Sequence, residues 1–462
     1  MPVDALCQAT AKRISDSDEL FVAGKAMEFI MSKNTTLKKA SPFRYGIGMF
    51  GTSMPINMFK SFAAIFYVDM LGLEMKKYSL ILLIYTFIDA IDNPVYGFLS
   101  DRTRTKWGRR RPWLIIGTPL LVLCFILFFN VPSFIESEKG MLFIYMLLMY
   151  ILTGTLDSLV NANYGALFPE LFQSDNERAK TNGIRQICQL FAMAISIALT
   201  PMITEKIGYQ LTALIYGVLA VAVMMYSFLG CRENTDYEEF EKPRIIDSII
   251  ALIKNPHFWI FGFAGAFYSS AFALISQALP FYVKYTLGLG GSSTTIMLGI
   301  VLGVAVIGIL IWSRISKKLP VMTIWRTGFI IMAVGFVPLY FAKVLPAAIA
   351  VAAVMGFGIA ACLTTMDCIG AKIIDDDYRR NGVKREGIIN SLMGVMNRLN
   401  GLYTSLAFYV VSEYFGFVSG DEPGSNPAAA SRVLLCVFPF AAMVLASVVS
   451  FFLKLPERKD NE

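Results

Sequence analysis

The sequence predicts an all-α polytopic membrane protein, with twelve transmembrane helices in two six-helix bundles. Three observations carry this expectation. The chain is 56% hydrophobic and only 16% charged, with a mean hydropathy of +0.58. Soluble domains are roughly 45–50% apolar and about 25% charged. Apolar stretches such as 141–153, 211–229, 296–312 and 434–453 recur along the chain. Several reach, with their flanks, the roughly 20 residues that cross a bilayer as a helix. Finally, a long polar stretch, 230–257, falls where it divides the predicted helices six and six.

Residues 1–44 are polar and mixed in charge, without the apolar core of a signal peptide. Met31 opens MSKNTTLKKASPFRYG, which reads as a second natural start. Residues 1–30 are therefore expected to be disordered or to precede the native start. The N-terminal bundle is expected over 45–229. In it, α1 (45–68) places Ser53, Asn57 and Lys60 at i, i+4, i+7 on one face. The second helix, α2 (78–99), gathers Asp89, Asp92 and Asn93 just before Pro94. Proline offers no N–H, so the carbonyl of Ala90 loses its helical partner. A free carbonyl beside two acids and an amide makes an oxygen cage for a small hard cation, or a carboxylate site for a proton. Next come α3 (113–132), almost purely apolar, and α4 (141–167), with Asp157, Ser158, Asn161 and Tyr164 on one side. Arg185 and Gln189 share a face of α5 (184–203), and α6 (211–229) is apolar.

The stretch 230–257, acidic then basic with Pro243, reads as a cytosolic linker. A C-terminal bundle follows over 258–453, and 454–462 is a tail. Its helices are α7 (258–286), α8 (293–313), α9 (323–342), α10 (346–372), α11 (387–411) and α12 (431–453). Gly299 and Gly303 in α8 have GxxxG spacing and read as helix packing. Thr364 and Asp367 share a face of α10, and Asn397 and Arg398 lie on α11. His257 has no partner that the sequence identifies.

Loop charge sets the orientation. The termini and the loops on their side carry roughly thirty Lys and Arg, the opposite loops about five, so both termini are expected in the cytoplasm of a cell inner membrane. The same distribution assigns the net charge of +7 to topology and excludes a nucleic-acid partner. Seven scattered cysteines without CxxC spacing and one histidine exclude a structural zinc site and a disulfide framework. No HExxH or GxSxG occurs, so no enzyme is expected.

Seven ionisable groups remain at mid-depth: Lys60, Asp89, Asp92, Asp157, Arg185, Asp367 and Arg398. Each costs on the order of 2.5–3.5 kcal/mol, a gross cost of order 20 kcal/mol before pairing. Groups held at that cost normally face water and one another, so a central aqueous cavity is expected. Pairing of Asp89 and Asp92 with Lys60, Arg185 or Arg398 as helix locks is the alternative.

The segment Gly97–Trp113, GFLSDRTRTKWGRRRPW, resembles the loop between helices 2 and 3 of the major facilitator superfamily. With DAIDNP before it, it is similar to that of the glycoside–pentoside–hexuronide:cation symporters. YGIGMFG (45–51), ERAKTNGIRQ (177–186) and DDDY…REGIINS (375–391) match in order, so the resemblance covers about residues 43–455. It implies the major facilitator fold, and a gating loop braced by Asp101, Arg102, Gly108, Arg109 and Arg110. It implies a cation-site carboxylate at Asp89 and a hydroxyl ligand at Ser158, with Asp92 and Asn93 alongside. It also implies a basic residue near the sugar at Arg185, and Arg398 in place of a family lysine.

This sequence departs from the family pattern in helix 2, Asp-x-x-Asn-Asp-Pro, by exchanging acid and amide. The sugar-binding carboxylates of α1 and α4 fall at Ser53 and Asn161, and the stacking aromatic falls at Gly165. Three bases and the loss of two acids suit an anionic solute such as a uronide, with Ser53, Asn57, Lys60, Asp157, Asn161, Arg185 and Arg398 around it. A neutral glycoside is the alternative. The expected activity is cation-coupled symport of a sugar, glycoside or sugar acid by alternating access. The expected protein is a functional monomer with no cofactor, coupled to sodium or protons. Its rivals are a facilitator for lysolipid-like solutes and a non-transporting sensor on the same fold.

Overall fold

A computed structural model describes residues 41–172, 175–231, 254–381 and 386–454. The expectations for residues 1–40, for 232–253 of the linker and for 455–462 lie outside the described residues, as do the side chains of Asn93, Pro94 and Asp101. The described residues are helical with no β-strand, and their helices group into segments labelled α1–α12. The first, α1, comprises Pro42–Gly46 and Gly48–Ala64 and ends in a π-helical turn, Ile65–Met70. Three regular passes follow: α2 (Met75–Arg102), α3 (Arg111–Phe129) and α4 (Lys139–Leu171). The fifth pass, α5, runs from Asp175 through a π turn, Ala194–Leu199, to residue 207, and α6 covers 209–230. Gly208, at φ 78° and ψ 166°, makes the corner between them, a backbone conformation open to glycine at little cost.

The second half contains α7 (Pro256–Tyr285), α8 (Gly291–Ile315), α9 (Val321–Phe341) and α10 (Leu345–Asn381). Then α11 comes in two pieces, Glu386–Asn397 and Asn400–Phe415, and α12 in three, Pro427–Arg432, Val433–Val437 and Phe438–Phe451. Asparagine caps start α7 and α12: Asn255 accepts from the His257 N–H and Asn426 from the Ala429 N–H, each at 3.0 Å, with proline in the first turn. The tenth helix runs on past residue 372. Arg380 Nε meets Asp376 Oδ2 at 3.0 Å one turn away, and His257 Nδ1 meets the same oxygen at 3.0 Å. Within this polar run Asp376 and Arg380 are paired, and His257 gains a partner. The eleventh helix, predicted as continuous, breaks at Arg398–Leu399. There the N–H groups reach only three residues back, to Val395 and Met396, in a sequence with two weakly helix-forming asparagines.

Eight described stretches are long and apolar enough to cross a membrane, and one of them, Lys180–Gly230, holds two passes. The passes outside that set are α1, α2 and α11. They are the ones that carry Lys60, Asp89 and Arg398.

Within the first half α4 packs on α2 and α3, and α6 on α1 and α3; within the second, α10 packs on α8 and α9, and α12 on α7 and α9. The halves meet through α2 with α11, α1 with α7, and α5 with α8. The first part of α5, Asp175–Met193, packs on α1, whereas Ala194–Leu199 and the residues after it pack on α8. The bundles are therefore joined toward the end bearing the α1–α2 loop, called here the strapped end. At that end Asp69 of α1 holds Lys284 (2.5 Å) and Tyr285 of α7. Glu205 accepts from the N–H (2.8 Å) and hydroxyl (2.7 Å) of Ser292, in the first turn of α8. The α11–α12 loop lies across the gap, with the Met75 N–H donating to the Val418 carbonyl (2.7 Å) and the Gly420 N–H to the Val68 carbonyl (2.9 Å).

Candidate solute and cation site

Below these links the bundles enclose a cavity of about 1040 Å³, lined from α1, α2, α4, α5, α7, α8, α10 and α11. Two ion pairs stand in its wall. Asp89 of α2 pairs with Arg398 of α11, and the same guanidinium reaches the Asp89 main-chain carbonyl. This pair crosses from one bundle to the other. Both side chains are largely buried, at 18% and 17% exposure. The second pair lies within the first bundle: Lys60 of α1 is 3.6 Å from Asp157 of α4, whose other oxygen accepts from the Asn161 amide at 2.5 Å. Lys60 keeps half of its side chain open to the cavity, at 51% exposure.

The break in α11 explains how Arg398 reaches its partner. In a regular helix each side chain's direction is fixed by its position in the 3.6-residue turn, whereas the turn at Arg398–Leu399 relaxes that constraint. Asp89 Oδ1 also accepts from the Ser158 hydroxyl of α4 and the Tyr85 hydroxyl of α2, each at 3.1 Å. Three donors thus converge on one carboxylate oxygen. Hydrogen bonds of this kind to a charged group are stronger than those between neutral groups.

The structure gathers Asn57, Lys60, Asp89, Asp157, Ser158, Asn161 and Arg398 on the cavity wall. It places the other predicted site residues elsewhere. Asp92 is buried and gives one oxygen to Thr155 of α4, at 2.8 Å, and is not a lining residue. Ser53 is buried in α1 and does not line the cavity either. Arg185 stands outside, with its guanidinium 5.1–5.8 Å from the ring centres of Tyr45, Tyr164 and Phe168. The rings hold it by cation–π attraction, and Tyr45 and Tyr164 are fixed by exchanging hydroxyl-to-carbonyl hydrogen bonds of 2.5 and 2.7 Å. Asp367 is exposed on α10.

Gly299 and Gly303, read above as packing residues, line the cavity instead, with no atom within 4 Å of where a Cβ would sit on either. In the loop after α2, Gly108 takes φ 106°, Arg102 is exposed, Arg109 is half-buried, and buried Arg110 reaches the Ser100 hydroxyl at 3.4 Å. The sequence reading missed Tyr85, Tyr150, Tyr268 and Gln277, which also line the cavity. Tyrosines in apolar runs look like core. Gln277 was the visible signal, an uncharged amide beside Ser276 in the otherwise apolar ALISQALPF.

Comparison with known proteins gives this cavity a context. The chain matches the family described as MFS/sugar transport protein over residues 44–457. It is 25% identical to the isoprimeverose transporter of Lactiplantibacillus pentosus, over 80% of this chain and 81% of that one. It is also 25% identical to the glucuronide carrier protein homolog of Escherichia coli K12, over 90% and 93%. Among solved structures, a bacterial homolog of the human lysosomal transporter Spinster, inward-facing and unoccupied, superimposes with a TM-score of 0.62 at 14% identity, covering 90% of this chain and 97% of that one. That likeness bears on the fold alone. A match along nearly the whole chain, on a helical fold with a cavity between two bundles, makes this protein a multi-pass membrane transporter, not an enzyme, and a member of the MFS sugar transport family.

Proposed function

We propose that the protein is a cation-coupled symporter of a sugar, glycoside or sugar acid, working by alternating access with both termini in the cytoplasm. The observation that carries this reading is the Asp89–Arg398 pair, an acid of one bundle bound to a base of the other inside the cavity. Arg398 acts there as a tethered cation. Sodium or a proton arriving at Asp89 competes with it and releases it. Two unit charges about 4 Å apart attract by roughly 4 kcal/mol at an effective dielectric of ~20, so the exchange is large enough to move the bundles relative to one another.

Charge balance supports an acidic solute. The described cavity wall carries Lys60 and Arg398 against Asp89 and Asp157, which is neutral overall. Bound cation leaves the chamber one charge positive, with Arg398 free to take an anionic group and Lys60 half open beside it. On the positive-inside distribution the strapped end faces outside and the opposite end faces the cytoplasm.

The test is uptake into proteoliposomes from a panel of neutral sugars and sugar acids, under imposed sodium or proton gradients. The expected result is accumulation that requires one of the gradients and disappears in Asp89→Asn. Gradient-blind uptake of amphipathic solutes, or binding without accumulation, would overturn the symport reading.

A further inference from the structure

We propose that the Tyr85 hydroxyl belongs to the coupling-cation site, as the third oxygen beside Asp89 and Ser158; this rests on Asp89 being the coupling carboxylate. Tyr85 lies one turn before Asp89 on α2, and its hydroxyl is 3.1 Å from Asp89 Oδ1, as is that of Ser158. Two oxygens 3.1 Å apart subtend about 80° at an ion ~2.4 Å from each, close to the right angle of six-fold oxygen coordination. A phenol is both donor and acceptor. It donates to the bare carboxylate, and by turning its proton away it offers a lone pair to a cation.

The ring is held as a ligand has to be. It is 7% exposed and meets Tyr150 edge-on, with centroids 5.1 Å apart and planes at 72°. Its slot exists because α4 has a glycine there: a Cβ on Gly154 would run into the ring and hydroxyl of Tyr85. An apolar slot of this shape takes phenylalanine equally well. What tyrosine adds is an oxygen at the cavity wall, on the carboxylate that already binds a cationic group, Arg398. Asp92 gives one of its oxygens to Thr155 instead.

The experiment uses sodium alone and needs no solute. Purified full-length protein is titrated with NaCl at fixed pH and constant ionic strength, with choline as the balancing ion, and heat is read by calorimetry. Tyr85→Phe keeps the ring in its slot and removes one oxygen. Its sodium affinity is expected to fall roughly tenfold or more, the size of loss seen when a group supporting a metal site is removed, with an unchanged thermal unfolding midpoint. Wild-type affinity in Tyr85→Phe, alongside lost binding in Asp89→Asn, overturns the role of Tyr85 and leaves the coupling reading standing. Undiminished binding in Asp89→Asn overturns the coupling reading itself. No sodium binding by the wild type also overturns the role of Tyr85, since a proton needs no third oxygen.

Discussion

At the strapped end the two bundles share a buried carboxylate, a helix cap and two main-chain hydrogen bonds. At the basic end, bonds such as Arg44 to the Tyr226 carbonyl (2.9 Å), Arg111 to the Phe228 carbonyl (3.4 Å) and the His257–Asp376–Arg380 cluster each stay inside one bundle. The difference teaches where work must be done. A molecule that exposes its cavity alternately to two sides has to break the contacts of its closed end. They also differ in kind. Asp69 has a side chain 3% exposed, and two donors from α7. Lys76–Glu413, at 2.5 Å, links α2 to α11 between side chains half in solvent. A buried, doubly held carboxylate and a solvent-exposed pair are not equal locks.

The comparison breaks most completely if the strap is welded. With Met75→Cys and Val418→Cys in a background without other cysteines, the two positions are adjacent through their 2.7 Å main-chain bond. Oxidation is expected to abolish solute uptake in proteoliposomes, and reduction to restore it. Full activity in the oxidised form would show that the strap need not detach. A smaller effect is expected from Asp69→Asn. Hydrogen bonds to a charged group contribute about 1.5–3 kcal/mol each, so weakening this clamp shifts the balance toward opening at this end on the order of tenfold. The rate at which an impermeant thiol reagent labels a cysteine at Ser276, a cavity-lining position, checks it, and an unchanged rate would count against Asp69 as the lock. The smallest effect is expected for Lys76→Ala. Solvent screens an exposed pair and leaves it little net attraction, so labelling is expected to stay within severalfold of wild type, and a change as large as that of Asp69→Asn would reverse the ranking.

Much of this architecture was legible in the sequence because lipid is a strict solvent. The all-helical membrane fold and the polar faces of α1, α2, α4 and α11 follow from what a bilayer tolerates, and Lys60, Asp89, Asp157, Ser158, Asn161 and Arg398 do share one chamber. What stayed illegible has a common cause. The break at Arg398–Leu399, the partnership of Asp69 with Lys284 and the exposure of Gly299 and Gly303 depend on which helix stands opposite, and hydropathy carries no information on that. Tyr85 was hidden for the same reason. Its ring reads as core, and only the neighbouring Gly154 and the carboxylate one turn on reveal its hydroxyl as an exception.

Glu205 carries a last consequence. Its carboxylate sits where an N-cap side chain of α8 would sit, yet it belongs to the other bundle. When the bundles part, the opening turn of α8 loses the acceptor for its main-chain N–H and must fray, hydrate or find a substitute. The state of that single turn is therefore set by a neighbour 87 residues earlier in the chain, and in the proposed cycle the first residues of α8 are where a rigid-body motion becomes a local change of backbone order.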